Sequence, residues 1–117
     1  MEINQTENHI VVRPNLENGG KLITTIADFY KDFDENYGNL KHINLILDFS
    51  SNKNISAKEI SLFSDKSIEH KSNNKSFVIV CTDVKQDDLS DTLVVVPTLK
   101  EAEDVIEIED IERDLGI

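Results

Sequence analysis

Positive charge is scarce in this sequence: 12 Lys and Arg stand against 23 Asp and Glu, a net charge of −11. A surface of that sign repels phosphate backbones and anionic lipid, so direct nucleic-acid or membrane binding is not expected. Cysteine is almost absent. Cys81 alone excludes an internal disulfide or a cysteine-based zinc site and fits a reducing compartment, and its place at the end of an apolar run predicts a buried, inert thiol. Tryptophan is missing and glycine is sparse, and no Gly-rich phosphate loop follows any apolar run. The one glycine pair, Gly19-Gly20, lacks the Lys-Ser/Thr that would complete such a loop. The uncharged stretches 43–47 and 76–82 fall far short of the ~20 apolar residues that span a bilayer. The opening MEINQTEN has neither a basic end nor an apolar core, so no signal peptide is read and a cytoplasmic location is expected.

What is present is a regular alternation of short apolar runs with helical stripes. Residues 3–5 and 9–13 read as a β-hairpin closed by Pro14, with a turn over 15–20. Leu22, Ile23, Ile26, Phe29, Tyr30, Phe33 and Tyr37 recur at three- and four-residue spacing, an amphipathic helix that stops at Gly38. The run 43–49 is apolar nearly throughout and predicts a central strand covered on both sides. Ser56 stands three residues before Glu59, a capping-box spacing, and Ile60, Phe63 and Ile68 continue a helix over 57–71. Strands are expected at 77–81 and 93–96, with one helical turn inside 84–91. The order ββαβαβ(α)βα defines an α/β domain over residues 1–117, with a mixed sheet of four to five strands, an N-terminal hairpin and helices packed mainly on one face.

Residues 98–117 form an acidic C-terminal helix, announced by Pro97 and by Thr98 three residues ahead of Glu101. Eight acids against Lys100 and Arg113 give this segment a net −6. At 100° per residue, Leu99, Ala102 and Ile106 fall within about 60° of one another, while Ile108, Ile111 and Leu115 lie on nearly the opposite side. One straight helix cannot bury both sets on one sheet. Either it bends near Glu107, or the second set, with Ile117, meets another protein or a second copy of this chain.

Candidate catalytic groups lack their companions. His9, His42 and His70 have no ligand spacing, so no metal is expected, and Asp87, Asp88 and Asp91 lack the glycine and closing Glu of a calcium loop. Asp48 resembles the phosphate-accepting Asp of a response-regulator receiver. The supporting acids and Lys of that family are replaced by Arg13-Pro14 and by Val96-Pro97-Thr98. Ser50, Ser51, Ser56, Ser61 and Ser64 come without a recognisable base or oxyanion hole, and turn and cap chemistry accounts for them.

The element order, with LILDFSSNKNIS at 45–56 at its centre, resembles the STAS domain, the fold of anti-sigma factor antagonists. Leu47-Asp48-Phe49-Ser50 matches that family's LDLS-like strand end, and Ile55 its apolar lead into the next helix. PTLKEAEDVIEIEDIERDLGI is similar to the C-terminus of small STAS-like proteins of Bacteroidetes, often encoded beside ribonuclease Z. The resemblance implies a non-enzymatic, cofactor-free protein–protein interaction domain that binds through Ser50, Asn52, Ser56 and Lys58. Periodicity adds Ile108, Ile111 and Leu115. The partner so implied is ribonuclease Z, an anti-sigma factor or another cytosolic protein, with a homodimer as the other assembly to consider. Where switching antagonists carry Asp-Ser-Ser-Gly, this chain reads Ser56-Ala57-Lys58-Glu59, so Lys58 occupies the phosphoacceptor position. The alternative is an antagonist regulated by phosphorylation at Ser56 instead.

Overall fold

The computed structural model describes residues 1–14 and 25–116. The turn expected at 15–20, the glycine pair, Leu22, Ile23 and Ile117 lie outside the described residues. Five strands form one sheet in the order β1-β2-β3-β4-β5: β1 Glu2–Gln5, β2 His9–Arg13, β3 Asn44–Asp48, β4 Phe77–Val80 and β5 Val95–Val96. The hairpin pair β1–β2 is antiparallel, and every later pairing is parallel. The fold is therefore the mixed α/β sheet with an N-terminal hairpin that the element order predicts.

Alternation along the inner strands sorts their side chains to two faces. Ile10, Val12, Leu45, Leu47, Phe77 and Ile79 point to one face, where α1 (Ile26–Asn36) and the helical stretch of α2 (Ala57–Ile60), a 3-10 turn and α3 (Ser64–Ser72) cover them. Val11, Ile46, Val78 and Val80 point to the other, beneath α4 (Leu99–Asp114) through Ala102 and Ile106. Burial on both faces is why these runs are apolar throughout. The first face is a cluster of rings: Phe29 meets Phe49 edge-on at 5.5 Å between centroids, and Phe33 meets Phe63 at 5.9 Å.

Three expectations are corrected. Ile68 is half exposed, and the inward stripe of the second helical stretch runs through Ile60, Phe63, Ser67 and His70. Two polar residues replace the expected apolar ones because their partners lie inside. Ser67 Oγ donates to the Thr92 carbonyl at 2.6 Å, His70 Nε2 donates to the Ile43 carbonyl at 2.7 Å, and Tyr37 Oη bonds His70 Nδ1 at 2.8 Å. The last strand shrinks from 93–96 to Val95–Val96, the two residues in register with Ile79 and Val80 of β4, and the side-chain amide of Gln86 bonds the Leu93 carbonyl and the Val95 amide along the opposite edge. The helix α1 does not stop at Gly38 but tightens into a 3-10 turn over Tyr37–Asn39. Among the described residues, no helix is long and apolar enough to cross a membrane.

Candidate functional site

The loop after β3 is anchored at both ends. Asp48 is buried at the strand's carboxyl end, where Arg13 Nε donates to Oδ2 at 2.9 Å and the Ser50 amide donates to Oδ1 at 2.9 Å. Both carboxylate oxygens are thus engaged by the protein itself. Phe49 and Ile55 bury their side chains, the Asn52 amide closes a turn onto the Phe49 carbonyl, and the Ile55 amide donates to Asp83 Oδ2 at 3.1 Å. Asn54 takes a left-handed conformation at φ 60°, which asparagine tolerates better than most residues. Between the anchors, Ser50, Ser51, Lys53 and Asn54 are exposed, and Ser56 and Lys58 follow them on the same open stretch. Asn52 differs from its neighbours. It is buried, and its Oδ1 has no hydrogen-bond partner among the described residues.

Ser56 starts α2 through a complete capping box: Oγ accepts from the Glu59 amide at 3.2 Å, while Glu59 Oε1 accepts from the Ser56 amide at 2.9 Å. Its hydroxyl also donates to Glu59 Oε1 at 3.1 Å, so the group is occupied in both roles.

The C-terminal helix runs unbroken through Glu107, so the bend that would fold its second face onto the domain does not occur. Thr98 Oγ1 accepts from the Glu101 amide at 3.1 Å, one half of the reciprocal pair that the spacing predicts. Two sets of contacts fix the rotation of α4. Ala102 and Ile106 are fully buried against the sheet, and one to two turns later a polar cluster docks onto the start of β3 and β4. There Ser76 Oγ donates to Glu109 Oε1 at 2.5 Å, Arg113 Nη2 donates to Ser76 Oγ at 3.1 Å and to Asp110, and Asn44 Nδ2 donates to Asp110 Oδ1 at 3.3 Å. Asn44 Oδ1 in turn accepts from the Ser76 amide at 2.8 Å. With this side turned in, Ile108, Ile111 and Leu115 face outward at 57%, 52% and 69% exposure.

The buried Asn44 and Ser76 gave no sequence signal, since a polar residue at a strand end reads as a turn. The only cue was Asp110 at i,i+3 from Arg113, a pair as common on solvated helices as on docked ones.

The three histidines are dispersed. His70 is buried and kept neutral, its pKa lowered by burial; His9 is buried with Nε2 3.6 Å from Glu103 Oε2; His42 is exposed. Burial also raises the Cys81 thiol and pushes Tyr37 up to about 12, with the charge of Glu69 adding to the latter. Among the described residues, no group of three His, Cys, Asp or Glu side chains converges to hold a metal ion. Among the described residues, one open concavity of about 320 Å³ lies between Asn8, His42, Lys75 and Asp110, and another of about 270 Å³ lies beside Cys81, Val84 and Pro97. The chain matches no protein-family model and no curated protein.

Proposed function

We propose that this chain is a non-enzymatic, STAS-like protein–protein interaction domain of the cytoplasm. The observation that carries the reading is the outward ridge of Ile108, Ile111 and Leu115 on a helix whose opposite side is pinned to the sheet. Large apolar side chains grouped on a rigid element are typical of a surface that another protein covers. The exposed stretch through Ser50, Ser56 and Lys58 is the second surface, chosen by resemblance to the STAS family and held in place by Phe49, Ile55 and the cap. Asn52 would contribute only if the loop opened, given its burial. Ribonuclease Z is the partner to test first, on the strength of the C-terminal resemblance.

Titration of purified ribonuclease Z from the same organism into the full chain, followed by calorimetry, tests that partner. Saturable binding weakened by Lys58→Glu or Ile111→Ser is expected. Absence of heat at tens of micromolar would remove ribonuclease Z, and chemical cross-linking in the host would then decide whether any protein partner exists. The second reading, an antagonist switched by phosphate at Ser56, draws on the exposure of that serine at a helix start, where a phosphate would add nearly two negative charges. Against it, the phosphate would have to displace the bonds between Ser56 and Glu59. Phosphopeptide mass spectrometry of protein isolated from its host separates the two.

A further inference from the structure

The outward side of α4 has more order than a patch. Placed in a heptad, Ile108, Ile111 and Leu115 take positions a, d and a, the seam by which two helices pack side by side. The positions that flank such a seam are e and g, and here they are Glu112 at e with Glu107 and Asp114 at g. Every flanking position of the exposed seam is acidic. These three side chains and Glu101, which continues the ridge toward the helix start, are exposed, and none has an ion pair within 4 Å among the described residues. Three of the remaining acids of the helix are already engaged, Asp104 with Lys100, Glu109 with Ser76, and Asp110 with Arg113 and Asn44, and Glu103 Oε2 lies 3.6 Å from His9 Nε2.

The charge pattern selects the occupant. A second α4 laid on this seam, parallel or antiparallel, would set Glu107, Glu112 and Asp114 beside the same acids of its copy. The two cations of the helix are directed elsewhere, since Lys100 pairs with Asp104 and Arg113 is turned inward to Asn44 and Ser76. Like charges across a seam direct pairing away from self and toward the opposite sign. From this geometry we infer that the Ile108–Ile111–Leu115 seam binds a basic amphipathic helix of another protein, with apolar residues at a and d and Lys or Arg at e and g. The inference rests on the interaction-domain reading and names its partner's chemistry. The seam ends at Glu101 and Asp104, which occupy a and d with acids, so the contact covers about two turns, roughly 10 Å of helix. So short a contact suits reversible, salt-sensitive docking.

The test places a photo-crosslinking amino acid at position 111 of the full chain in its host and, separately, at position 50, and sequences the captured segments. Each captured segment is then made as a peptide and titrated against the wild type, Ile111→Ser and the Glu107→Gln/Glu112→Gln double variant. The expected result is capture at position 111 of a Lys- or Arg-rich amphipathic segment, its peptide binding about tenfold more weakly to each variant and more weakly again at 500 mM than at 50 mM salt. Thermal melts matching the wild type show that the variants stay folded. Capture at position 111 of the chain itself, or of a neutral or acidic segment, overturns the inference, as does a peptide that the variants bind undiminished. Capture at position 50 alone overturns it while leaving the interaction domain standing, and capture at neither position removes both.

Discussion

At the scale of single residues, polar side chains hold elements together both at the surface and in the interior. Ser56 is the simplest case, an exposed cap whose loss frees the Glu59 amide. Ser56→Ala is expected to cost on the order of 1 kcal/mol in urea denaturation, with Ser56→Asp, another good cap, close to neutral. His70 has a sharper signature. Its Nε2 must carry the proton that the Ile43 carbonyl accepts, and burial disfavours a second proton, so the ring is neutral in the fold and Nδ1 accepts from the Tyr37 hydroxyl. Burial, the largest influence, lowers its pKa, as does Lys75 more weakly, whereas the bond to Ile43 and the charge of Glu69 oppose the shift. The unfolded chain therefore takes up a proton near pH 6.5 that the folded chain resists. Stability contributed by this site is complete above that pH and declines as pH falls below it, levelling off once the folded ring also protonates. Denaturation midpoints from pH 7.5 to 5 should show the decline, and His70→Phe should reduce its slope. The same variant strands the Tyr37 hydroxyl and the Ile43 carbonyl, so it should also lower stability at pH 7.5 by roughly 1–3 kcal/mol.

At the scale of elements, legibility followed periodicity. Strands β2, β3 and β4 stood out because burial on both faces makes their central residues 10–12, 45–47 and 77–80 unbroken apolar runs, and α1 because Phe29 and Phe33 recur with its turns. The two faces of α4 were equally readable, since 100° per residue separates Ile106 from Ile108 whatever the helix packs on. What could not be read was the choice between a bend and an outward face. That choice is made by Glu109 on Ser76 and by Arg113 on Asn44, 33 and 69 residues apart in sequence, and such distant polar pairs leave no period behind. Gln86 is a similar case, a loop side chain that bonds Leu93 and Val95 along the outer edge of β5. Of the proposed surfaces, the seam of α4 was legible as a pattern, whereas the burial of Asn52 within an otherwise exposed loop was not. The difference between the two faces of α4 is measurable. Ile106→Ala should cost about 2–5 kcal/mol, as filled core positions do, whereas Ile111→Ser should stay within about 0.5 kcal/mol of the wild type. Equal losses for the two would mean that the seam is buried in the free chain.

At the scale of the whole molecule, a net charge of −11 acts on folding and on association with opposite dependence on salt. The folded domain gathers most of the chain's 23 acids on a compact body with a radius of gyration of 13.6 Å, and their mutual repulsion, including the exposed ridge of α4, works against the fold. Salt screens that repulsion over about 10 Å at 0.1 M. Among the described residues, the ion pairs that salt would weaken in return each have at least one partly exposed partner, as with Lys100 and Asp104, Lys66 and Asp34, and the amino terminus and Asp32. Repulsion should therefore dominate, and the melting temperature of the isolated chain should rise between 20 and 300 mM salt. A gain of ~1 kcal/mol would appear as roughly 4 °C in a domain of this size. Docking of a basic helix responds the other way, because screening weakens attraction between unlike charges. The same titration should thus raise the melting temperature of the free chain and lower its affinity for the partner. If both moved together, binding would be governed by apolar burial and the acids beside the seam would have no part in choosing what it meets.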